Sequence, residues 1–576
     1  MDIKSFFKDI PNICQRQYEA LKAHYRDGCS LKEVSENFGF SISYLKKMRF
    51  EAAQSIKHGS NPFFIQRTRG PKSRFTKNEV IENVIALRKQ NHSISDIHSI
   101  LCAKGEKLSL SCIDNILKDE GFAPLYRRTR QERKETSVPK ALIPPEAVEL
   151  DFSPEEFYTE RGAGPLIFLP LLEELRVVKA IKNAGYPGTS QIPAHAYVLS
   201  FLALKLIGNQ RNAHDEVWNL DRGLGLFAGL NVLPKCASMS SYSYRVTRAM
   251  NSRFLAELAP MFDDQESEDE FNLDYKTIPH WGDKSVLENN WAGSKSKAIK
   301  SILSLIVQKP EQGILVYTNA EVKHRNQSDA VLEFVDFWKD SKGKCPKMLI
   351  FDSKFTTYKN LSCLNQDEIK FLTLRRRGGN LKKQADKIPD EEWAQVRVEG
   401  ATRKHSLLSV HDSRCILRHY EGEVRQIIIK GNGRENPAFL ITNDLSSPVS
   451  VLVRKYARRW LIEQEIAEQV SFFHLNQPSS SIVVKVDFDL TLSLLAHNLY
   501  RKLATRLLGF ENCTVSTLFR NFLDTGAHVK IKGGKISVIL KKKTHMPILL
   551  STPWMTQASS LSWMETAIDY QVGTVS

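Results

Sequence analysis

Three carboxylates, Asp274, Asp352 and Glu463, have the residue types and placement that a metal-dependent phosphoryl transfer requires. An in-line attack on a phosphodiester needs its attacking and leaving oxygens stabilised. Two hard divalent ions held by three or four Asp or Glu side chains do this. Asp274 falls inside the β-type run FNLDYKTI and Asp352 closes the apolar run MLIFD, so neighbouring strands would bring them together. Glu463 sits in a helical run where Tyr456, Arg459, Trp460, Glu463 and Val470 recur at helical spacing. On this reading Arg459 holds a phosphate through its fork of donors, while Tyr456 and Trp460 stack or pack against DNA. Asp283, in HWGDKS beside His280, competes with Asp274. Glu465 and Glu468 are expected on other, solvated faces of the helix.

These acids need strands and a facing helix to position them. From residue 271 the runs FNLDYKTI, SILSLIVQK, GILVYT, PKMLIFD and IKFLTLRR read as strands, interrupted by the helical DAVLEFVDFWKD, which is an α/β layout. Between about 380 and 435 the runs LLSV, CILRHY and RQIIIK predict an all-β insertion before AFLIT returns to the core. A single long helix is then expected from a Ser447 cap and Pro448 through VLVRKYARRWLIEQEIAEQVSFF, and another over 490–508. HVKIKGGKISVILKKK predicts a hairpin turning at Gly533 and Gly534, with Val529, Ile531, Ile536 and Val538 alternating with polar positions.

The first 126 residues read differently. Tyr18, Leu21 and Tyr25 form one apolar stripe; Ser30 caps a helix with Leu31 and Val34; and Ser41 caps a third helix carrying Lys46, Lys47 and Arg49. That is a helix-turn-helix pattern, with the third helix offering cations to phosphates or base edges. The pattern recurs with Val80, Val84 and Leu87, a helix capped by Ser95 and another capped by Ser111. The linkers QRTRGPKSR, with Arg67 and Arg69, and YRRTRQERK, with Arg127 and Arg128, supply basic arms for a DNA backbone or minor groove.

Composition agrees with a polyanionic partner. Across 576 residues, 81 Lys and Arg against 65 Asp and Glu leave a formal charge of +16, which favours nucleic acid through counterion release. No run is apolar and long enough for a membrane span, so a cytoplasmic protein with no membrane partner is expected. Nine cysteines without a CxxC pair argue against a zinc-thiolate site and for a reducing compartment.

The stretches LDYKTIPHWGD, LIFDSKFTTYKNL and YARRWLIEQEI resemble the three catalytic regions of DDE transposases of bacterial insertion sequences, whose signature is Y-x2-R-x3-E-x6-K. Tyr456, Arg459 and Glu463 match that signature; its lysine would fall at position 470, where this chain has Val470, and Lys485 is too distant to replace it. The resemblance covers roughly residues 270–505 and implies an RNase H-like core with Asp274, Asp352 and Glu463 as the catalytic and metal-holding acids. It further implies Mg²⁺, with Mn²⁺ as a substitute and two ions in the site. The implied partners are double-stranded DNA, as terminal inverted repeats and target, and a second copy in a synaptic homodimer. The gaps of 78 and 111 residues between successive acids suit it, the longer one accommodating the β-rich insertion.

The expected architecture is multidomain: N-terminal all-α helix-turn-helix modules (1–58 and 79–126) with basic linkers (59–78 and 127–157), then a helical middle domain (158–268). An α/β RNase H-like core (269–379 and 436–510) follows, interrupted by the β-rich insertion (380–435), and a C-terminal region with a basic hairpin (511–576) ends the chain. Two other functions fit the same residues: a transposase-derived DNA-binding protein without catalysis, and an RNase H-like nuclease that cuts without joining.

Overall fold

The computed structural model describes residues 12–58, 63, 78–90, 92–103, 105–106, 108–123, 125, 145–210, 218–262, 268–280, 287–292, 296–376, 378–399, 405–431, 433, 435–477 and 482–573. The chain divides into two compact units, residues 1–127 and 128–576.

The first unit holds two three-helix groups. In one, α1 (Ile13–Tyr25), α2 (Leu31–Phe38) and α3 (Ile42–Lys57) enclose Ala20, Leu21, Val34, Leu45 and Met48. Ser30 forms a capping box with Glu33, satisfying end N–H groups from both sides, and Ser41 caps α3 as expected. In the other, α4 (Asn78–Lys89), α5 (Ile94–Ala103) and α6 (Leu110–Asp119) bury Val84, Ile97, Leu101, Ile113 and Ile116. The caps expected at Ser95 and Ser111 lie two residues earlier. Ser93 Oγ accepts from Asp96 N–H, and Ser109 Oγ accepts from Cys112 N–H, which leaves Ser95 and Ser111 inside the first turns.

The second unit is built on a ten-stranded sheet. Its strands are β2 (Glu270–Pro279), β3 (Asn289–Ala292), β4 (Lys297–Lys309), β5 (Ile314–Val322), β6 (Met348–Phe351), β7 (Lys370–Leu374), β8 (Ala394–Glu399), β9 (His405–Ile416), β10 (Glu423–Lys430) and β11 (Ala438–Thr442). The order is β3-β4-β2-β6-β7-β11-β10-β9-β8, with β5 also paired to β4. β2, β4 and β5 run antiparallel in succession, whereas β6 and β7 lie parallel to β2 and to each other. The crossovers between β5, β6 and β7 carry the helices α10 (Ala330–Lys342) and α11 (Tyr358–Gln366). The strands expected as a separate β-rich insertion continue this sheet, because β11 pairs antiparallel with β7 and draws β10, β9 and β8 on beyond it.

Side-chain alternation on β6 shows how both faces are covered. Leu349 and Phe351 join the large core beneath α10 and α11, while Met348 and Ile350 join a second cluster with Leu452 and Val453. Those two leucine and valine side chains belong to α12 (Val449–Ala457), which is followed by α13 (Trp460–Ser471) and α14 (Val483–Ala504). The single helix expected here is two. Arg459 N–H bonds to Tyr456 O and Leu461 N–H to Arg458 O, three residues back rather than four, so the chain tightens and turns between α12 and α13. Ser447 is not the cap either: its N–H and hydroxyl both donate to Asp444, and Pro448 occupies the cap position.

α14 is buried along nearly all its length, as expected of a helix with core on every side. Its polar residues meet the open edge of β5. Asp487 accepts Ala320 N–H, Asn498 accepts Leu315 N–H and donates to Leu315 O, and His497 Nε2 is 3.1 Å from Gly313 O. Helix side chains thus do for this edge what another strand would do. The helices that precede the sheet, among them α7 (Val177–Ala184), α8 (Ala194–Leu206) and α9 (Arg248–Phe262), share the same large core as the sheet.

A second, five-stranded sheet has the order β1-β12-β13-β15-β14, formed by β1 (Glu155–Thr159), β12 (Ala527–Lys532), β13 (Lys535–Lys541), β14 (Ser559–Leu561) and β15 (Thr566–Gly573). The hairpin expected at Gly533 and Gly534 is β12–β13, with Val529 opposite Val538 and Ile531 opposite Ile536, all four buried. Both glycines have positive φ, which the two-residue turn demands.

Candidate active site

β2 and β6 are parallel neighbours with Leu273 opposite Phe351, so the next residues on each, Asp274 and Asp352, stand side by side. By alternation Asp274 shares its face of β2 with Glu270 and Asn272, and Asp352 follows the face of Met348 and Ile350. That is the face α12 and α13 cover. Two ion pairs tie these helices to β2: Lys455 to Glu270, and Arg459 to Asp274.

Arg459 is the hub. Its Nη1 lies 3.1 Å from Asp274 Oδ2 and its Nη2 2.7 Å from Glu463 Oε1, four residues along the chain. The turn between α12 and α13 puts Arg459 at the junction, where its side chain reaches both the strand and the next helical turn. Its guanidinium also sits 6.0 Å from the centre of the Tyr456 ring. Trp460, partly buried, opens α13. Tyr456, Arg459, Asp274 and Glu463 are therefore brought together, with Asp352 adjacent to Asp274.

Burial shapes the electrostatics. Asp274 is raised above the ordinary aspartate value chiefly by desolvation, aided by the charges of Asp352 and Glu463 and opposed by Arg459. Desolvation pushes Tyr456 up to about 12, against the pull of Arg459. Burial works against the charge on Arg459, but Asp274, Tyr456 and Glu463 raise its pKa. The Asp274 side chain is 16% exposed and Glu463 55%, so the site is walled on the sheet side and open beyond the helix. Asp274 Oδ1 accepts Tyr275 N–H at 2.8 Å and Asp352 Oδ1 accepts Lys354 N–H at 2.7 Å, which fixes both carboxylates. Arg459 thus bonds two of the three carboxylates and is influenced by the charge of the third, while the ligand oxygens of Asp274, Asp352 and Glu463 do not all lie within 4.8 Å of one another.

Other expected residues fall elsewhere. Val470 packs partly buried against the large core, and Lys485 donates to Ser240 O and lies over the Tyr244 ring. His280 donates its backbone N–H to Lys300 O, whereas Asp283 lies outside the described residues. In the N-terminal unit Lys46 is exposed, Lys47 faces Glu51 at 3.7 Å, and Arg49 Nε donates to Tyr25 OH at 3.2 Å. Arg67, Arg69, Arg127 and Arg128 lie outside the described residues.

Glu465 and Glu468 overturn the expectation of solvated faces. Both are largely buried against His497 of α14, since the break after Ala457 turns this side of α13 toward α14. Among the described residues, Glu465, Glu468 and His497 are the His, Cys, Asp or Glu group whose ligand atoms all lie within 4.8 Å of one another. Sequence spacing offered no signal for it, because His497 is far along the chain and unremarkable within an apolar helix. Among the described residues no helix is long and apolar enough to cross a membrane. Compared with protein-family models and with curated proteins, the chain matches none.

Proposed function

We propose that this chain cuts and rejoins DNA as a DDE-type transposase, with Asp274, Asp352 and Glu463 as its acids. The observation that carries the reading is the side-by-side placement of Asp274 and Asp352 on parallel strands, with Glu463 joined to Asp274 through Arg459. The RNase H-like assignment of the core draws support from three successive antiparallel strands followed by two parallel ones through helical crossovers. Asp274 stands on the first of those strands, Asp352 directly after the fourth, and the glutamate on a later helix.

Asp274, Asp352 and Glu463 would hold Mg²⁺, which when bound supplies charge stabilisation to the attacking and leaving oxygens. In the first reaction a water oxygen bonds to phosphorus as the P–O3′ bond breaks, freeing a 3′-hydroxyl. In the second that hydroxyl oxygen attacks another phosphodiester, and one P–O bond replaces another. Arg459, once released from the carboxylates, has its planar donor fork beside the reacting phosphate. Tyr456 and Trp460 border the same surface, and the tandem N-terminal helix groups are assigned to recognition of DNA ends.

The test uses the full chain with labelled DNA taken from the sequence on either side of its gene, and Mg²⁺. Asp352→Asn is expected to abolish nicking while leaving the electrophoretic shift intact; undiminished nicking by that variant overturns the assignment. Burial of Val470 where the family signature has lysine favours one other reading, a DNA-binding protein without chemistry. A shift without any nick by the unaltered chain supports that reading. Nicking without strand transfer indicates a nuclease instead.

A further inference from the structure

Between α7 and the end of the chain lies a cavity of about 490 Å³, within the range of roughly 300–1,000 Å³ that small ligands occupy. Part of its lining is cationic. Arg176, at φ 49°, turns the chain out of the short helix Leu169–Glu174 into α7, which buries Val177, Val178, Ala180, Ile181 and Ala184. Lys179 and Lys182, three residues apart, project from the opposite, exposed face of α7, and with Arg176 they line the cavity. The acids nearby are engaged with other groups. Glu173 accepts the N–H and hydroxyl of Ser562, Glu174 pairs with Arg506, and Glu257 accepts from Asn183 Nδ2 at 2.9 Å. Among the described residues Arg176, Lys179 and Lys182 have no ion-pair partner. Like charges held this close repel one another, and an anion that bridges them removes that cost.

Another part of the lining is aromatic. Trp563, in the single turn Ser562–Met564 between β14 and β15, is partly buried and borders the same cavity. Its place is fixed from three sides. The bonds from Ser562 to Glu173 hold its turn to the short helix; its six-membered ring abuts Gly229, where a Cβ would meet it at 3.1 Å; and the His195 ring at the start of α8 stands across it, ring centres 5.6 Å apart. Lys182 is near enough for its charge to act on that histidine. Burial first, and Lys182 second, bring His195 down to about 4, so the imidazole is neutral near pH 7 and adds no charge. A fixed indole beside three unpaired cations suits a ligand that joins a flat base to phosphate, because every base has a face to stack and Arg and Lys hold phosphate oxygens. Phosphate alone has no use for the indole, and a metal cation is repelled.

We propose that Arg176, Lys179, Lys182 and Trp563 form a nucleotide-binding site, with the three cations on the phosphate and the indole against the base. The nucleotide is either free or one residue of a DNA strand; the recognising chemistry is the same, and it does not depend on the acids around Arg459.

The test uses the full chain and N-methylanthraniloyl-dADP, titrated by fluorescence anisotropy. Saturable binding is expected. Lys179→Glu with Lys182→Glu is expected to weaken it roughly tenfold or more, while Lys179→Arg with Lys182→Arg retains it. Both lysines are exposed, so the variants are expected to keep the far-UV circular dichroism of the unaltered chain. Two competitors then define the ligand. Inorganic pyrophosphate is expected to displace the probe less well than dADP, and equal displacement would remove the indole from the site and overturn the nucleotide assignment. A short single-stranded oligodeoxynucleotide that displaces the probe identifies the source as a DNA strand; displacement by dADP and not by the oligodeoxynucleotide identifies it as free nucleotide. Absence of saturable binding at millimolar concentration, or binding undiminished by the two charge reversals, overturns the site.

Discussion

Arg459 reaches Asp274 with one guanidinium nitrogen, at 3.1 Å, and Glu463 with the other, at 2.7 Å. One cation therefore stands between two of the acids proposed to hold a metal ion. It neutralises a largely buried carboxylate whose pKa desolvation raises, and an ion bound by these acids would compete with it.

Removing that cation separates the two roles. Arg459→Gln leaves Asp274 buried and unpaired, and the metal-free protein is expected to lose roughly 3 kcal/mol of stability. Freed from competition, the carboxylates should bind Mn²⁺ about tenfold more tightly, the equivalent of about one charge-assisted hydrogen bond. Calorimetric titration and melting with and without Mn²⁺ measure both effects; an unchanged Mn²⁺ affinity would count against competition.

Asp444 positions α12 from its other end. Its carboxylate is almost completely buried, accepts the N–H and hydroxyl groups of Ser446 and Ser447, and pairs with Lys370. Desolvation opposes its charge, but those hydrogen bonds outweigh it and hold the pKa far below the aspartate range. A depressed carboxyl contributes stability above its unfolded pKa, near 3.8, and that contribution is lost as pH falls through the depressed value. Asp444→Asn is therefore expected to cost about 2 kcal/mol at pH 7, with the gap to the unaltered chain narrowing as pH drops below 3.8. Urea unfolding across that range checks it, and a gap constant with pH would refute it.

A third buried carboxylate links the helical segment to the sheet. Asp487 is completely buried and accepts from Arg248 at 3.1 and 3.2 Å, from Asn251 at 2.7 Å and from Ala320 N–H at 2.9 Å. Arg248→Met leaves that charge without its cation and is expected to cost about 3–5 kcal/mol. Arg248→Met with Asp487→Leu also loses the bonds to Asn251 and Ala320, yet removes the unpaired charge, so it should be the less destabilised of the two. Thermal melts of both variants decide; the opposite order would show that packing outweighs the charge.

What the sequence could reveal here was whatever repeats locally. The helix-turn-helix periodicity, the Gly533–Gly534 hairpin and the apolar strand ending at Asp352 all depend on near neighbours, and each has a counterpart in the structure. The adjacency of Asp274 and Asp352 was legible only as a possibility, from their places in apolar strand runs, because three further strands and α10 lie between β2 and β6 along the chain. The break at Arg458 and Arg459 was not legible, because the run VLVRKYARRWLIEQEI has no proline or glycine to mark it; it follows from Leu452 and Val453 packing on one sheet region while Ile462 and Ile466 pack into the other core. The Glu465–Glu468–His497 group was hidden for the same reason, as its members meet only through packing of α13 on α14.

Val470 extends this reasoning to the one position where the signature fails. In the pattern that Tyr456, Arg459 and Glu463 follow, residue 470 would be a lysine reaching a phosphate, but here it lies on the part of α13 packed against the large core. A lysine there must either bury its charge or bend its stem out to water, and in both cases the valine methyls leave the core. Val470→Lys is thus expected to lower stability by about 1–2 kcal/mol and to leave DNA affinity and nicking rate unimproved. If the variant gained activity or affinity without losing stability, position 470, seven residues beyond Glu463 and so on the same face of α13, would have to reach DNA.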